Sequence, residues 1–117
     1  MSIFNSCEYS LTHHWNNAVR LIDNAQRAEV IHDALRSQSF ENTFNEKEIA
    51  ILHYSKKLTC DVGNLKKVDV IKLKQAGCDD EEILEVNQVT AYFNYSNRVL
   101  NGLGVSLDGD KIGYYSS

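Results

Sequence analysis

Apolar positions along this chain recur at spacings of three and four, and no stretch alternates with the period of two that a half-buried strand needs. Leu11, Trp15, Ala18, Val19 and Ile22 mark one side of a first helix, over about residues 5–21. Val30, Ile31, Ala34 and Leu35 give a second, weaker stripe over residues 25–36, and the polar stretch 37–43 reads as a loop. A third helix starts where Asn45 can cap it while Glu48 reaches back, a capping-box spacing, and Ile49, Leu52 and Leu58 carry its apolar side to about residue 59. Residues 60–65, with Gly63 and Asn64, read as a turn. A fourth helix over residues 66–76 stops at Gly77, the residue type that most easily turns left-handed after a helix. Asp79 and Glu82 repeat the capping box at the start of a long fifth helix, residues 80–100, whose acidic first turn complements the positive end of the macrodipole. Asn101-Gly102 closes it, and the tail with Asp108-Gly109-Asp110 and Tyr114-Tyr115 is turn-like. The pattern predicts an all-α fold.

Length changes the picture little. At 117 residues the chain is one domain, 1–117, with no internal repeat or linker, and it contains no proline to break its helices. A net charge of −4 with scattered basic residues argues against nucleic acid as a partner. No apolar run approaches the roughly 20 residues that cross a bilayer, and the first residues lack a signal peptide's basic start and apolar core. Cys7, Cys60 and Cys78 are odd in number and widely spaced, unlike a secreted disulfide framework, so a reducing, cytoplasmic setting is expected.

The run Cys7-Glu8-Tyr9-Ser10-Leu11-Thr12-His13-His14-Trp15 carries the candidate chemistry. On one helix Cys7, Ser10 and His14 share a face, and a histidine beside a thiol favours thiolate at neutral pH. Cys7, Ser10 and His14, with His13 adjacent, are therefore the candidate catalytic residues. Ser10 with His14 lacks an identifiable orienting acid or oxyanion hole, so a hydrogen-bonded hydroxyl is the reading preferred over a serine nucleophile. Adjacent histidines point about 100° apart on a helix, so only one of His13 and His14 can join Cys7, and two ligands do not make the usual zinc site. No metal and no cofactor is expected.

With cysteine in place of Ser10 the run would read Cys-x-x-Cys-x-x-His-His, and in that form it resembles the redox motif of the alkylhydroperoxidase-like and carboxymuconolactone decarboxylase-like family. Two further segments carry the likeness. One is Ile51-Leu-His-Tyr-Ser-Lys-Lys-Leu58, followed by Thr59 and Asp61. The other runs from Ala76-Gly77 through Asp80-Glu81-Glu82-Ile83, Gln88-Val89, Ala91-Tyr92-Phe93-Asn94-Tyr95 and Asn97-Arg98 to Gly102-Leu103-Gly104-Val105, and is similar to the peroxidase-related branch. The resemblance spans most of residues 5–108. It implies an all-α bundle that associates as dimers, trimers or hexamers, a hydroperoxide substrate and an external dithiol reductant. A decarboxylase branch of the family shares the fold but acts on a lactone acid.

By that resemblance, the position of Ser10 belongs to the peroxidatic cysteine, that of His14 to the activating histidine, and that of Cys7 to the resolving cysteine. A glutamate about a dozen residues before the first cysteine, and helices preceding the motif, belong to the family pattern and are not in this sequence. A serine hydroxyl neither reduces a peroxide nor forms a disulfide, so impaired hydroperoxide reduction through a lone Cys7 thiol is expected. The alternative is a non-catalytic oligomeric binding or assembly module on the same fold. Cys60 or Cys78 as a resolving thiol is a lesser possibility, since the family pattern gives neither a role. Tyr92, Phe93 and Tyr95 read as core and subunit-contact aromatics, and Arg98 as a structural partner of a helix-five acid or of a neighbouring subunit. His32 and His53 are assigned no function.

Overall fold

Helix boundaries follow the capping chemistry. A computed structural model describes residues 1–109 and contains α1 (Glu8–Ile22), α2 (Ala25–Ser37), α3 (Glu46–Cys60), α4 (Lys67–Gln75) and α5 (Asp80–Gly102), with a single 3-10 turn at Val62–Asn64. No strand occurs among the described residues, and the all-α expectation holds. The tail features at Asp110 and Tyr114-Tyr115 lie outside the described residues.

Both expected capping boxes form. The Asn45 side chain accepts from the Glu48 N–H at 2.9 Å while the Glu48 carboxylate accepts from the Asn45 N–H at 3.1 Å. Asp79 and Glu82 do the same for α5, at 2.8 and 3.4 Å. Asn24 caps α2 by accepting from the Arg27 N–H at 2.9 Å. Gly77 follows α4 at φ +104°, and the Cys78 N–H returns to the Leu73 carbonyl at 3.0 Å. That is the bond pattern of a Schellman end, which orders the descent from α4 into α5.

The tightest core lies among α3, α4 and α5. Tyr54, Leu73 and Cys78 are its buried members, with Ile51, Leu58 and Ile83 packed around them. The Tyr54 hydroxyl accepts from the Asn87 side chain at 2.8 Å, so the ring is buried without orphaning its oxygen. The Lys57 ammonium bonds both carboxylate oxygens of Asp69 at 3.0 and 3.1 Å, joining α3 to α4, and Lys47 pairs with Glu82 to join α3 to α5. The α1–α2 hairpin attaches to this trio through α1 against α5.

Two expectations are corrected and a third gains a detail. First, α1 begins at Glu8 rather than near residue 5. Residues 1–6 instead form a folded arm, with Asn5 N–H to Met1 C=O at 2.9 Å and Cys7 N–H to Ser2 C=O at 3.0 Å, and Ser6 at φ 50° diverts the chain before the helix. Second, the stretch after Ser37 is the expected loop, here anchored: Phe40 is buried, 5.5 Å from the His53 ring and 6.1 Å from Phe44. Third, Tyr92 and Tyr95 are exposed rather than in the core, and Thr90, Asn94 and Asn97 face inward instead. Phe93 is half-buried.

Candidate functional site

Cys7 is the residue immediately before α1, at the end where that helix's unsatisfied N–H groups carry partial positive charge. It is only 1% exposed, and the arm 1–6 folds back on its backbone, the Cys7 N–H reaching the Ser2 carbonyl at 3.0 Å. Ser10 and His13 continue the buried side of α1. The Ser2 hydroxyl is 2.9 Å from the Ser10 hydroxyl and 3.4 Å from the Asn97 side-chain oxygen. A hydroxyl has one proton, so Ser2 can donate to one of these at a time. Asn97 is fully buried, and its Nδ2 has no hydrogen-bond partner among the described residues.

The arm is tied down by side-chain amides. Asn5 donates to the Asn94 side-chain oxygen at 2.8 Å, and the Asn101 side chain donates to the Asn5 carbonyl at 2.9 Å. Asn94 Nδ2 in turn donates to the Thr59 hydroxyl on α3 at 3.0 Å and to the Thr90 carbonyl at 3.0 Å. Thr59 donates to the Ser55 carbonyl at 2.7 Å, and the Ser55 and Thr90 hydroxyls lie 3.1 Å apart. A polar seam thus runs from the arm, through α5, to α3. Arg98 joins it through the Asn94 carbonyl and side chain, at 3.3 and 3.1 Å, rather than pairing with an acid of α5.

His14 is not buried with Cys7, Ser10 and His13. It is at the surface, its ring edge-on to Phe93 with centroids 4.8 Å apart. It stands at an open apolar cleft of about 380 Å³ between the arm, α1 and α2, lined by Leu11, Trp15, Ala18, Ile31 and Leu35. Partial burial, and secondarily the neighbouring His13, hold its pKa below the ordinary histidine value, so the imidazole is neutral at pH 7 and can accept a proton. His13 is buried, with its ring 4.7 Å from that of Tyr9. The fold therefore buries Cys7, Ser10 and His13 and leaves His14 exposed at the cleft.

The remaining thiols sit elsewhere. Cys60 is exposed as the last residue of α3, and Cys78 is buried with Tyr54 and Leu73, where burial and then the Glu82 carboxylate raise its pKa. All three cysteines are free. His32 stacks near Trp15 at 4.8 Å and accepts from Arg36 at 3.3 Å, a structural use. A second depression of about 440 Å³ lies between α3 and α4. Its buried carboxylate, Asp69, is already occupied by Lys57 and by the Lys66 N–H at 2.8 Å.

The sequence gives Ser2, Asn5 and Thr90 no part in the site, and Thr59, Asn94 and Asn97 enter it only as carriers of the resemblance, with no role assigned. One signal was available: Thr90, Asn94 and Asn97 recur at i, i+4 and i+7, the spacing of a buried helix face, written here in polar residues. Compared with known proteins, the chain matches no protein-family model, and no curated protein matches it.

Proposed function

We propose that this chain is an alkylhydroperoxidase-like protein of a reducing, cytoplasmic compartment, a homo-oligomer in which Cys7 reduces hydroperoxides slowly as a lone thiol. What supports this reading is the position of Cys7 at the N-terminal end of α1, with Ser10 on the next turn and a neutral His14 at the adjoining apolar cleft. Such a setting suits a substrate with an apolar body and a reacting oxygen. Once the arm lifts, the thiol proton passes through water to His14, and the thiolate attacks the outer peroxide oxygen. The O–O bond breaks, and the alkoxide leaves as the alcohol with that proton. Sulfur is oxidised to the sulfenic acid. An external dithiol then condenses with it, releasing water and forming a mixed disulfide, and its second thiol restores Cys7 and departs as a disulfide. Ser10 contributes a hydrogen bond. Because Cys7 is covered, each turnover requires the arm to lift, which makes the reaction slow.

The second reading, a non-catalytic assembly module, is favoured by that same coverage. Brief exposure to an organic hydroperoxide with a sulfenic-acid trap, read by peptide-resolved mass spectrometry on wild type and Ser10→Cys, separates them. Selective trapping at Cys7 in the wild type is the expected result. A silent wild type, with a disulfide from Cys7 to the introduced thiol only in the variant, transfers the conclusion to the assembly reading.

A further inference from the structure

The fifth helix is inverted over its second half. Its inward side carries Thr90, Asn94 and Asn97, while its outward side carries an exposed, mainly apolar stripe: Leu84, the polar Gln88, Tyr92, Tyr95 and Val99, continued by the C-cap residue Leu103. These positions follow one another at spacings of four, four, three, four and four, so they form a continuous row on one face. Tyr92, Tyr95 and Leu103 are 62%, 68% and 76% exposed, and Leu84 57%. Large aromatic side chains carry roughly 150–250 Å² each, so the row offers on the order of 600 Å² of surface. A patch of that size is at the upper end for a monomer's surface.

The order of residues in the row identifies its occupant. Leu84 lies as far before the midpoint between Phe93 and Asn94 as Leu103 lies after it. Gln88 and Val99 are related in the same way, as are Tyr92 and Tyr95. Two antiparallel copies crossing at that midpoint would put leucine against leucine at both ends and the four tyrosines at the centre. In a two-fold interface residue i meets j and j meets i, and this row has that self-complementarity built in. Charge sets the direction. The first turn of α5 holds Asp80, Glu81 and Glu82, with Glu85 one turn on. A parallel pair would stack these carboxylates against each other, whereas an antiparallel pair puts them at opposite ends. Two such rows bury about 1,200 Å² together, the lower bound of a standard interface.

We infer that a second copy of this chain docks on the outer face of α5, antiparallel, about a two-fold axis passing between Phe93 and Asn94. This rests on the homo-oligomeric part of the proposed function and is independent of its thiol chemistry. It gives that assembly a surface, a direction and a register.

The test is the mass of the intact chain by light scattering across a range of concentrations, for wild type, Tyr95→Glu and, as a control at an exposed apolar residue outside α5, Val62→Glu. An even-numbered oligomer is expected for wild type and Val62→Glu. Tyr95→Glu, which alters no buried group, should keep the wild-type circular dichroism and fall to half the wild-type mass. A spin label at Gln88→Cys, in a background with Cys60→Ser, reads direction. With paired positions offset by eleven residues and a rise of about 1.5 Å per residue, the two labelled backbones lie roughly 19 Å apart in the antiparallel pair and about 9 Å apart in a parallel one. An oligomer insensitive to Tyr95→Glu overturns the inference and leaves the oligomeric reading standing. A wild type that stays monomeric overturns both, including the case where it binds neutral phospholipid vesicles through this face instead.

Discussion

Replacing Asn94 with alanine tests the polar seam, because this one side chain holds α5 to both α3 and the arm over Cys7. Its Nδ2 reaches the Thr59 hydroxyl at 3.0 Å and its Oδ1 receives the Asn5 amide at 2.8 Å. Each such bond contributes about 1 kcal/mol net. The contact with the Thr90 carbonyl adds little, since that carbonyl belongs to the same helix, and the Arg98 contact lies at an exposed guanidinium. Thr59 keeps its bond to the Ser55 carbonyl, so no buried hydroxyl is orphaned by the change. Alanine is the better helix former by about 0.5 kcal/mol, and the small cavity left behind opposes that gain. The expected loss is about 2 kcal/mol, roughly a 30-fold shift in the folding equilibrium. Urea unfolding followed by circular dichroism measures it, and a double-mutant cycle with Asn5→Ala should return a coupling of about 1 kcal/mol. The same variant should speed thiol labelling of Cys7, because the arm has lost its tie to α5. A loss below about 0.5 kcal/mol with no coupling to Asn5 would refute the claim that the seam holds the arm.

Two further outcomes follow from the packing and the charges. Leu73→Ala, at the least exposed aliphatic side chain of the α3–α4–α5 core, should cost about 3–5 kcal/mol in the same unfolding assay, and a cost under 1.5 would mean that core is loosely packed. His14 has a folded pKa below its unfolded value of about 6.5, so the unfolded chain binds its proton first as pH falls. Its stability contribution is complete above that value and is lost as pH drops through it toward the lower folded pKa. His14→Gln should therefore flatten the fall in stability between about pH 7 and 5, and parallel curves for the two proteins would contradict the assigned cause.

Local chemistry made much of the chain legible. Asn45 with Glu48, and Asp79 with Glu82, announce helix starts because the bonds they make span only three residues. Gly77 announces a helix end for a similar reason, since a positive φ is a property of one residue and its neighbours. The start of α1 was less legible. Periodicity alone extends the helix back through Asn5, but the arm turns at Ser6 and pairs its polar groups with Ser10 and with Asn94 and Asn101, the last two distant in sequence. Phe40 was hidden among polar neighbours, and its anchoring depends on His53 and Phe44 being brought beside it.

The sequence by itself determined the helical class, the two capping boxes and the conjunction of Cys7, Ser10, His13 and His14 near one helix start, all consequences of periodicity and short-range hydrogen bonding. The tertiary structure decided which side of each helix is inside. On α5 it put Thr90, Asn94 and Asn97 within and Tyr92 and Tyr95 without, against the usual sense of burial. It also covered Cys7 and turned His14 toward an apolar cleft. A helix presents both of its sides equally until another element packs against it. Here the amides and hydroxyls of the arm and α3 form matching partners for the polar side of α5, and such complementarity exists only once distant segments meet.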